Sequence, residues 1–430
     1  MGDFKDLVRK NPNYRYTWMG QVVSEIGDYF NNIAVFSLAV QATGSGLVVS
    51  GVMLSRAIPA VLAGPVAGVV LDRFDRKRVM IASDLIRAVV ALGFIVAARH
   101  PQAWLLYALS ALLMFASPFF TSGRAAILPT IASPLELHTA NSLTQTTQWA
   151  TLTFGTMLAG WSAAKLGYEW AFALNSLSFL FSAAAIARLR VPGGFRPRRE
   201  APGASKAARP WHEYREGLRY MWSVPLIFGI AMISVGWATG GGAAQILFTL
   251  FGEQVFRRGP AGIGEIWGFA GIGLLMGGWL GHVIGRRVSF GGYKRTISIA
   301  YVLHGATYVL FSQMSAYWAA LLFMMLSRVG MAVCSVMNNS QLLRHTEDAY
   351  RGRVFATMES LRWGVMMLSM AAAGIASQYY SPRTLGAVAG ALSSLTAVYW
   401  GWANWRGRLP EPGAQGAGEV GIRRGRRRGA

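Results

Sequence analysis

Cysteine is almost absent from this 430-residue chain. The one copy, Cys334, lies in an apolar run, so no internal disulfide and no Cys-rich metal site can be assembled. Six scattered histidines, with no H-E-x-x-H pair and no Asp-rich cluster, leave a metal-dependent or other membrane-embedded enzyme without its convergent groups. No G-x-x-x-x-G-K-[ST] loop occurs, which disfavours ATP-driven transport by this chain. No metal and no cofactor is therefore expected. Charge is sparse, at 14% of residues, and acids are the rarer sign, 19 against 41 Lys and Arg. The opening stretch MGDFKDLVRKNPNYRYTW is polar, so no cleavable signal peptide is expected, and Asp6 stands where a myristoylation motif needs Ser or Thr.

What is abundant is apolar sequence. Hydrophobic residues make up 53% of the chain and the mean hydropathy is +0.35, far more than one or two soluble cores require. A helix needs roughly 20 mostly apolar residues to cross the hydrocarbon layer. Twelve such runs occur, near 17–40, 47–71, 79–98, 103–122, 142–164, 169–188, 224–250, 262–284, 296–313, 317–337, 357–377 and 384–405. Segments such as AVVALGFIVAA do not alternate as barrel strands do, and fifty glycines suit close helix packing in lipid. The expectation is an all-α integral membrane protein with twelve transmembrane helices in two six-helix halves.

The formal charge of +22 is unevenly spread. With the N-terminus inside, thirty-two of the forty-one Lys and Arg fall in inner segments and five in outer loops, namely Arg99, Lys165, Arg257, Arg258 and Arg383. The positive-inside rule then predicts a multi-pass protein of the plasma (cytoplasmic) membrane with both termini cytoplasmic. The tail, 406–430, is Gly- and Arg-rich and is expected to be disordered, its charge attracted to anionic lipid headgroups, a nucleic-acid or protein-binding arm being the alternative. No aromatic residue interleaves with its arginines, so no nucleic-acid partner is expected.

A Pro-, Gly- and Arg-rich stretch separates six runs from six. The expected domains are an N-terminal half, 1–189, a cytoplasmic linker with an amphipathic helix, 190–222, a C-terminal half, 223–405, and the tail. Within the linker, Trp211, Tyr214, Leu218, Met221 and Trp222 recur at helical spacing. This helix lies on the membrane surface or packs against the inner helix ends. A weak echo links the halves, Gly68 to Arg73 (GVVLDR) answering Gly281 to Arg286 (GHVIGR).

Charges inside a spanning helix are costly and normally line a cavity or pair with one another. At about 1.5 Å rise per residue, Glu25, Asp28, Arg56 and Arg328 fall near the midplane. Asp84 and Arg87 stand three apart on one helix face, the spacing of a structural ion pair. Asp28 is either a proton- or substrate-responsive group or one half of a fixed pair with Arg56, with Glu25 one turn away as the second proton-coupling candidate. Arg56, Asn31, Asn32 and Arg328 are candidate substrate contacts; the polar ones serve equally well to satisfy neighbouring helices.

The stretch Gly68-x-x-x-Asp72-Arg73-x-x-Arg76-Lys77-Arg78 resembles the signature between helices 2 and 3 of the major facilitator superfamily, with Asp75 where many members have Gly. Within that superfamily the chain is similar to the macrolide-efflux and enterobactin-exporter branch, through NPNYRYTWMGQVVSEIGD, SRAIPAVLAGPVAG, RAAILPTIASPLELHTANSL, EGLRYMWSVPL and RGRVFATMES. It departs in helix 5, where Gly155 to Gly160 (GTMLAG) lacks the usual proline, and in helix 4, read to 122, which carries no mid-helix arginine. The resemblance implies a secondary active transporter, a proton-coupled exporter of a lipophilic or amphiphilic small molecule by alternating access. A proton-independent facilitator or importer, or a transport-dead scaffold or receptor, is the alternative. Implied partners are the small-molecule substrate, protons and membrane lipids, and the expected state is a monomer. The resemblance also implies gating roles for Gly68, Asp72, Arg73, Arg76 and Lys77. The signature acid would meet the start of helix 11, near Arg353 to Met358, while Arg76 and Lys77 reach acids such as Glu359.

Overall fold

The computed structural model describes residues 2–100, 102–191, 194–195 and 210–412. The basic stretch 413–430 and most of the linker, 192–193 and 196–209, lie outside the described residues, and with them the disorder expected of the tail beyond 412. The described residues form helices and no strands. Two short amphipathic helices, α1 (Gly2–Lys10) and α8 (Pro210–Ser223), accompany twelve long ones. The first six are α2 (Pro12–Thr43), α3 (Gly46–Arg73), α4 (Arg76–Arg99), α5 (Ala103–Ile131), α6 (Pro134–Leu166) and α7 (Tyr168–Ala187). The second six are α9 (Pro225–Leu250), α10 (Gly259–Gly285), α11 (Phe290–Gln313), α12 (Tyr317–His345), α13 (Asp348–Ala376) and α14 (Pro382–Trp405). A π-helical turn, Phe251–Val255, extends α9. This is the twelve-span, two-half membrane fold expected from the sequence.

The helices outrun their apolar cores. α5 continues to Ile131 and not to 122, α12 to His345 and not to 337, and α13 begins at Asp348 and not at 357. Backbone hydrogen bonding does not stop where side chains turn polar, and hydropathy reads only the part inside hydrocarbon. Two consequences follow. Arg124, read as a loop residue, lies inside α5. The Arg351-Gly352-Arg353 stretch, read as the turn before helix 11, lies within the first turns of α13, whose start already carries Asp348, bonded to Arg351 at 2.7 Å.

Local chemistry sets the ends. Asn11 caps α2 by accepting the Tyr14 N–H at 3.0 Å, with Pro12 at the first helical position, and Gly44 closes it with a φ of 63°, a left-handed conformation that favours glycine. Between α3 and α4, Asp75 is the N-cap, accepting the Arg78 N–H at 3.0 Å. Prolines 59, 65, 118 and 129 sit inside α3 and α5, as membrane helices tolerate.

The chain divides into two compact units. The first holds residues 1–204 together with 245–272 and 370–385. In it α2 packs on α6 and α7, α3 on α5, and α4 on α5 and α7. Its glycines allow backbone contact: a Cβ at Gly160 would stand 2.9 Å from Gly264 Cα, and one at Gly264 would stand 2.4 Å from the Thr156 carbonyl oxygen. α6 and α10 therefore touch main chain to main chain within the GTMLAG stretch. The second unit holds 205–244, 273–369 and 386–430, with α11 packed on α12 and a core of Tyr293, Ile297, Tyr301, Cys334 and Trp400. Here α8 packs along α13: Met221 joins Leu342, Val354 and Met358, Glu216 pairs with Arg353 at 2.8 Å, and Tyr220 stacks on Tyr350. Trp211 and Trp222 stay exposed on its other face. Leu409 also joins the core, because α14 ends in a turn at Gly407 that folds it back against Trp400; the disordered tail expected from 406 does not begin there.

Asp84 and Arg87 form a fully buried ion pair on α4, with the guanidinium over the rings of Phe120 (4.8 Å) and Phe179 (4.3 Å). Removing one partner strands the other charge. Arg87→Met is expected to cost about 3–5 kcal/mol, and Asp84→Leu with Arg87→Met to recover most of it; unfolding of the purified variants in nanodiscs checks both, and a double variant no more stable than the single would contradict the pairing.

Candidate functional site

The buried polar residues of α2 form two layers. In the upper one, Arg56 of α3 donates to Asn31 Oδ1 at 3.1 Å and to Asn32 Oδ1, and stands 5.9 Å from the Phe36 ring. Asn31 and Arg56 are buried. Asp28 makes no ion pair within 4 Å among the described residues, and its Oδ1 is buried with no hydrogen-bond partner. Of the two roles open to Asp28 in the sequence, the fixed pair with Arg56 is not formed: the asparagine amides, one turn further along α2, take the guanidinium instead.

One turn the other way, Glu25 is held from three elements. Gln21 donates to it at 2.8 Å, Thr151 Oγ1 of α6 reaches it at 2.8 Å, and Arg124 of α5 stands at 3.9 Å. Sequence reasoning missed Arg124, having ended the helix two residues before it. The signal available was the continuation GRAAILPTI, in which apolar residues keep recurring at helical spacing to Ile131.

A third polar group at the far end of α2 was also missed. Glu253, in the π-turn, accepts from Ser37, whose hydroxyl lies 2.8 Å from the Tyr168 hydroxyl, and Gln41 reaches the same carboxylate at 3.5 Å. Nearby, Gln254 donates to the Gly44 carbonyl at 3.0 Å and Ser50 to that of Met370 at 2.9 Å. All these residues belong to the first unit.

The signature residues are placed differently from one another. Gly68 has open space where a Cβ would stand, and Asp72 and Arg73 are exposed. Among the described residues, Arg76 and Lys77 reach no acid. Arg76 donates to the Ala126 carbonyl at 2.9 Å, and Lys77 to those of Ala187 and Leu189 at 2.7 and 2.9 Å. Lys77 thereby covers the carbonyl end of α7, where a cation also meets the negative end of the helix dipole. Glu359 is taken by Arg362 and by the Trp363 indole at 2.9 Å, one turn along its own helix. Arg328, in the second unit, is buried against Tyr308, 5.7 Å from its ring, and donates to the Met331 thioether at 3.4 Å.

Twelve crossing helices with charges held inside them define a membrane transport protein. The chain belongs to the Major Facilitator Superfamily, whose sequence profile matches residues 17–367, and whose members are transporters rather than enzymes. It is similar to the putative bacilysin exporter BacE of Bacillus subtilis, 24% identical and covering 81% of this chain and 84% of that one. It is also similar to macrolide efflux protein A of Streptococcus pyogenes, 23% identical over 85% and 88%. Among solved structures, nucleoside transporter NupG superposes with a TM-score of 0.66 over 91% of this chain and 99% of that one, at 14% identity, a likeness of fold. The efflux branch suggested by the sequence motifs is thus the one its relatives carry in their names.

Because Glu25 and Arg124 share one contact, their removal should not add. Glu25→Gln and Arg124→Gln are expected to impair transport singly, and together by less than the product of the two effects, a coupling of about 0.5–3 kcal/mol. Initial uptake rates in proteoliposomes measure the cycle; strict additivity would mean the two act separately.

Proposed function

We propose that this transporter exports a lipophilic or amphiphilic small molecule by alternating access and that inward proton movement drives it, with Asp28 as the main proton-carrying group and Glu25 the second. One observation carries the reading: of the acids inside α2 and α4, only Asp28 has a buried carboxyl oxygen and neither an ion pair nor a hydrogen bond among the described residues. An acid so placed takes up and gives back a proton without breaking a contact, whereas Asp84 is bound to Arg87 and Glu25 to Gln21, Thr151 and Arg124. Arg56 with its two asparagines stands beside Asp28 on the same helix surface, where a substrate can exchange with the proton. Export is favoured by relatives named for efflux. The charge asymmetry supports a plasma-membrane protein with both termini cytoplasmic, working as a monomer among lipids.

The exposed Asp72 suits a gating role, with Gly68 leaving room for a neighbour to approach and Arg73 beside it. Arg76 and Lys77 serve that gate indirectly, by fixing α4 to α5 and α7, so that the carboxylate is presented from a rigid corner.

Two measurements test this. Asp28→Asn is expected to abolish efflux driven by an imposed pH gradient while leaving substrate counterflow, which needs no net proton movement; wild-type gradient-driven efflux in the variant would refute the assignment. Asp72→Asn is expected to lower turnover with substrate affinity nearly intact and to move the population toward the inward-facing state, about tenfold for a bias of 1.4 kcal/mol. Spectroscopic distances across the cytoplasmic gate read the ratio, and an unchanged ratio returns the loop to a purely topological role.

A further inference from the structure

At the end of the first unit where α4 begins and α7 stops lies a surface cavity of about 720 Å³. Its charged lining is unequal, with Lys77, Arg78 and Arg190 set against Asp75 alone. The rest is Gly194 and an apolar wall, in which Leu189 and Phe195 are buried and Ile81 and Val191 partly so. The volume falls within the roughly 300–1,000 Å³ of small-molecule sites.

The frame of this cavity is pinned. Lys77 donates to the Ala187 and Leu189 carbonyls at 2.7 and 2.9 Å. Asn13 of α2 closes two bonds on the backbone of Arg190, accepting its N–H at 2.9 Å and donating to its carbonyl at 2.8 Å. The Arg76 N–H reaches the Phe195 carbonyl at 3.3 Å, and Gly194, at a φ of 75°, turns the chain so that its N–H meets the Val191 carbonyl at 3.0 Å. Asp75 is engaged as the cap of α4 through the Arg78 N–H. The guanidinium groups of Arg78 and Arg190 differ from all of these. Neither has a hydrogen bond or an ion pair among the described residues, and both residues are exposed.

Position and lining together give the class of ligand. α4 and α7 are both long and apolar enough to cross a bilayer, and the cavity lies where one starts and the other stops, which is the level of the polar headgroups. A guanidinium takes a phosphate through paired, charge-assisted hydrogen bonds. A soluble phosphate would leave the apolar wall uncovered, whereas a phospholipid brings its own apolar part to it. Three cations against one acid, already engaged in capping, favour a headgroup of net negative charge. We propose that this cavity binds an anionic phospholipid, with Arg78 and Arg190 on the phosphodiester and Ile81 and Val191 against the start of the acyl chains. The lipid thereby joins the start of α4 to the end of α7. The site is separate from Asp28 and needs neither a proton gradient nor a direction of transport, so it goes beyond the export reading and does not rest on it.

The single cysteine, Cys334, is buried, so a bimane probe on Phe74→Cys, an exposed position one residue before Asp75, reports from one place. The full-length labelled protein in phosphatidylcholine nanodiscs is titrated with doxyl-labelled phosphatidylglycerol and, separately, with doxyl-labelled phosphatidylcholine, and quenching is read against mole fraction. Phosphatidylglycerol is expected to quench at a mole fraction at least about tenfold lower. Arg78→Gln and Arg190→Gln should each reduce that preference about fivefold and together abolish it, while the lysine variants keep part of it. Both side chains are exposed and unbonded, so these variants leave the pinned frame intact. Arg9→Gln, an exposed cation on α1 outside the cavity, should leave the preference as it was. Inorganic phosphate should displace no more of the phosphatidylglycerol than potassium chloride of the same ionic strength. Equal quenching by the two lipids, a preference unmoved by both glutamine variants, or one lowered as much by Arg9→Gln as by either of them overturns the proposal. Displacement by phosphate beyond the chloride reference overturns it too, in favour of a site for soluble phosphate.

Discussion

Hydrocarbon offers no hydrogen bonds, so every polar group this chain carries into the bilayer has to be answered by the protein itself. That constraint makes the spanning elements helices, and it decides the fate of each charge. Asp84 and Arg87 answer one another, with two phenylalanine rings over the guanidinium. Arg56 is answered by two asparagines of α2. Even at the helix ends the rule holds: carbonyls left without intrahelical partners at the end of α7 are covered by Lys77 from α4.

Seen this way, the informative residues are those left unanswered. Along α2 the acids differ by one turn in position and widely in company. Glu25 has an amide, a hydroxyl and a guanidinium around it, while the buried oxygen of Asp28 has none. In the second unit two buried donors, the Tyr308 hydroxyl and the Trp237 indole, have no hydrogen-bond partner among the described residues. A transporter needs groups whose partners come and go, and unsatisfied buried groups are where a static fold leaves room for a proton or a cargo to complete the pairing.

The charged run between α3 and α4 performs several tasks at once. Asp75 caps a helix, Arg76 and Lys77 fasten α4 to α5 and α7, and Asp72 remains exposed. Stiffening a corner with two of its cations is compatible with the proposed topological role of all four, since the positive-inside effect depends on which side the charges lie and not on what they touch.

Composition and hydropathy alone determined the class and the twelve spans, because lipid imposes length and polarity one helix at a time. The signature between helices 2 and 3, read as a resemblance, named the family and its efflux branch. Asp84 and Arg87 were legible as a pair because three residues on a helix fix their mutual distance without reference to any other element. Partnerships across helices were not legible. That Arg56 would choose Asn31 and Asn32 over Asp28, that Arg124 would lie within a helix beside Glu25, and that Glu253 would meet Ser37 all depend on the rotation and offset of one helix against another. Those are set by side-chain packing and glycine contacts summed over whole interfaces, which no single segment contains.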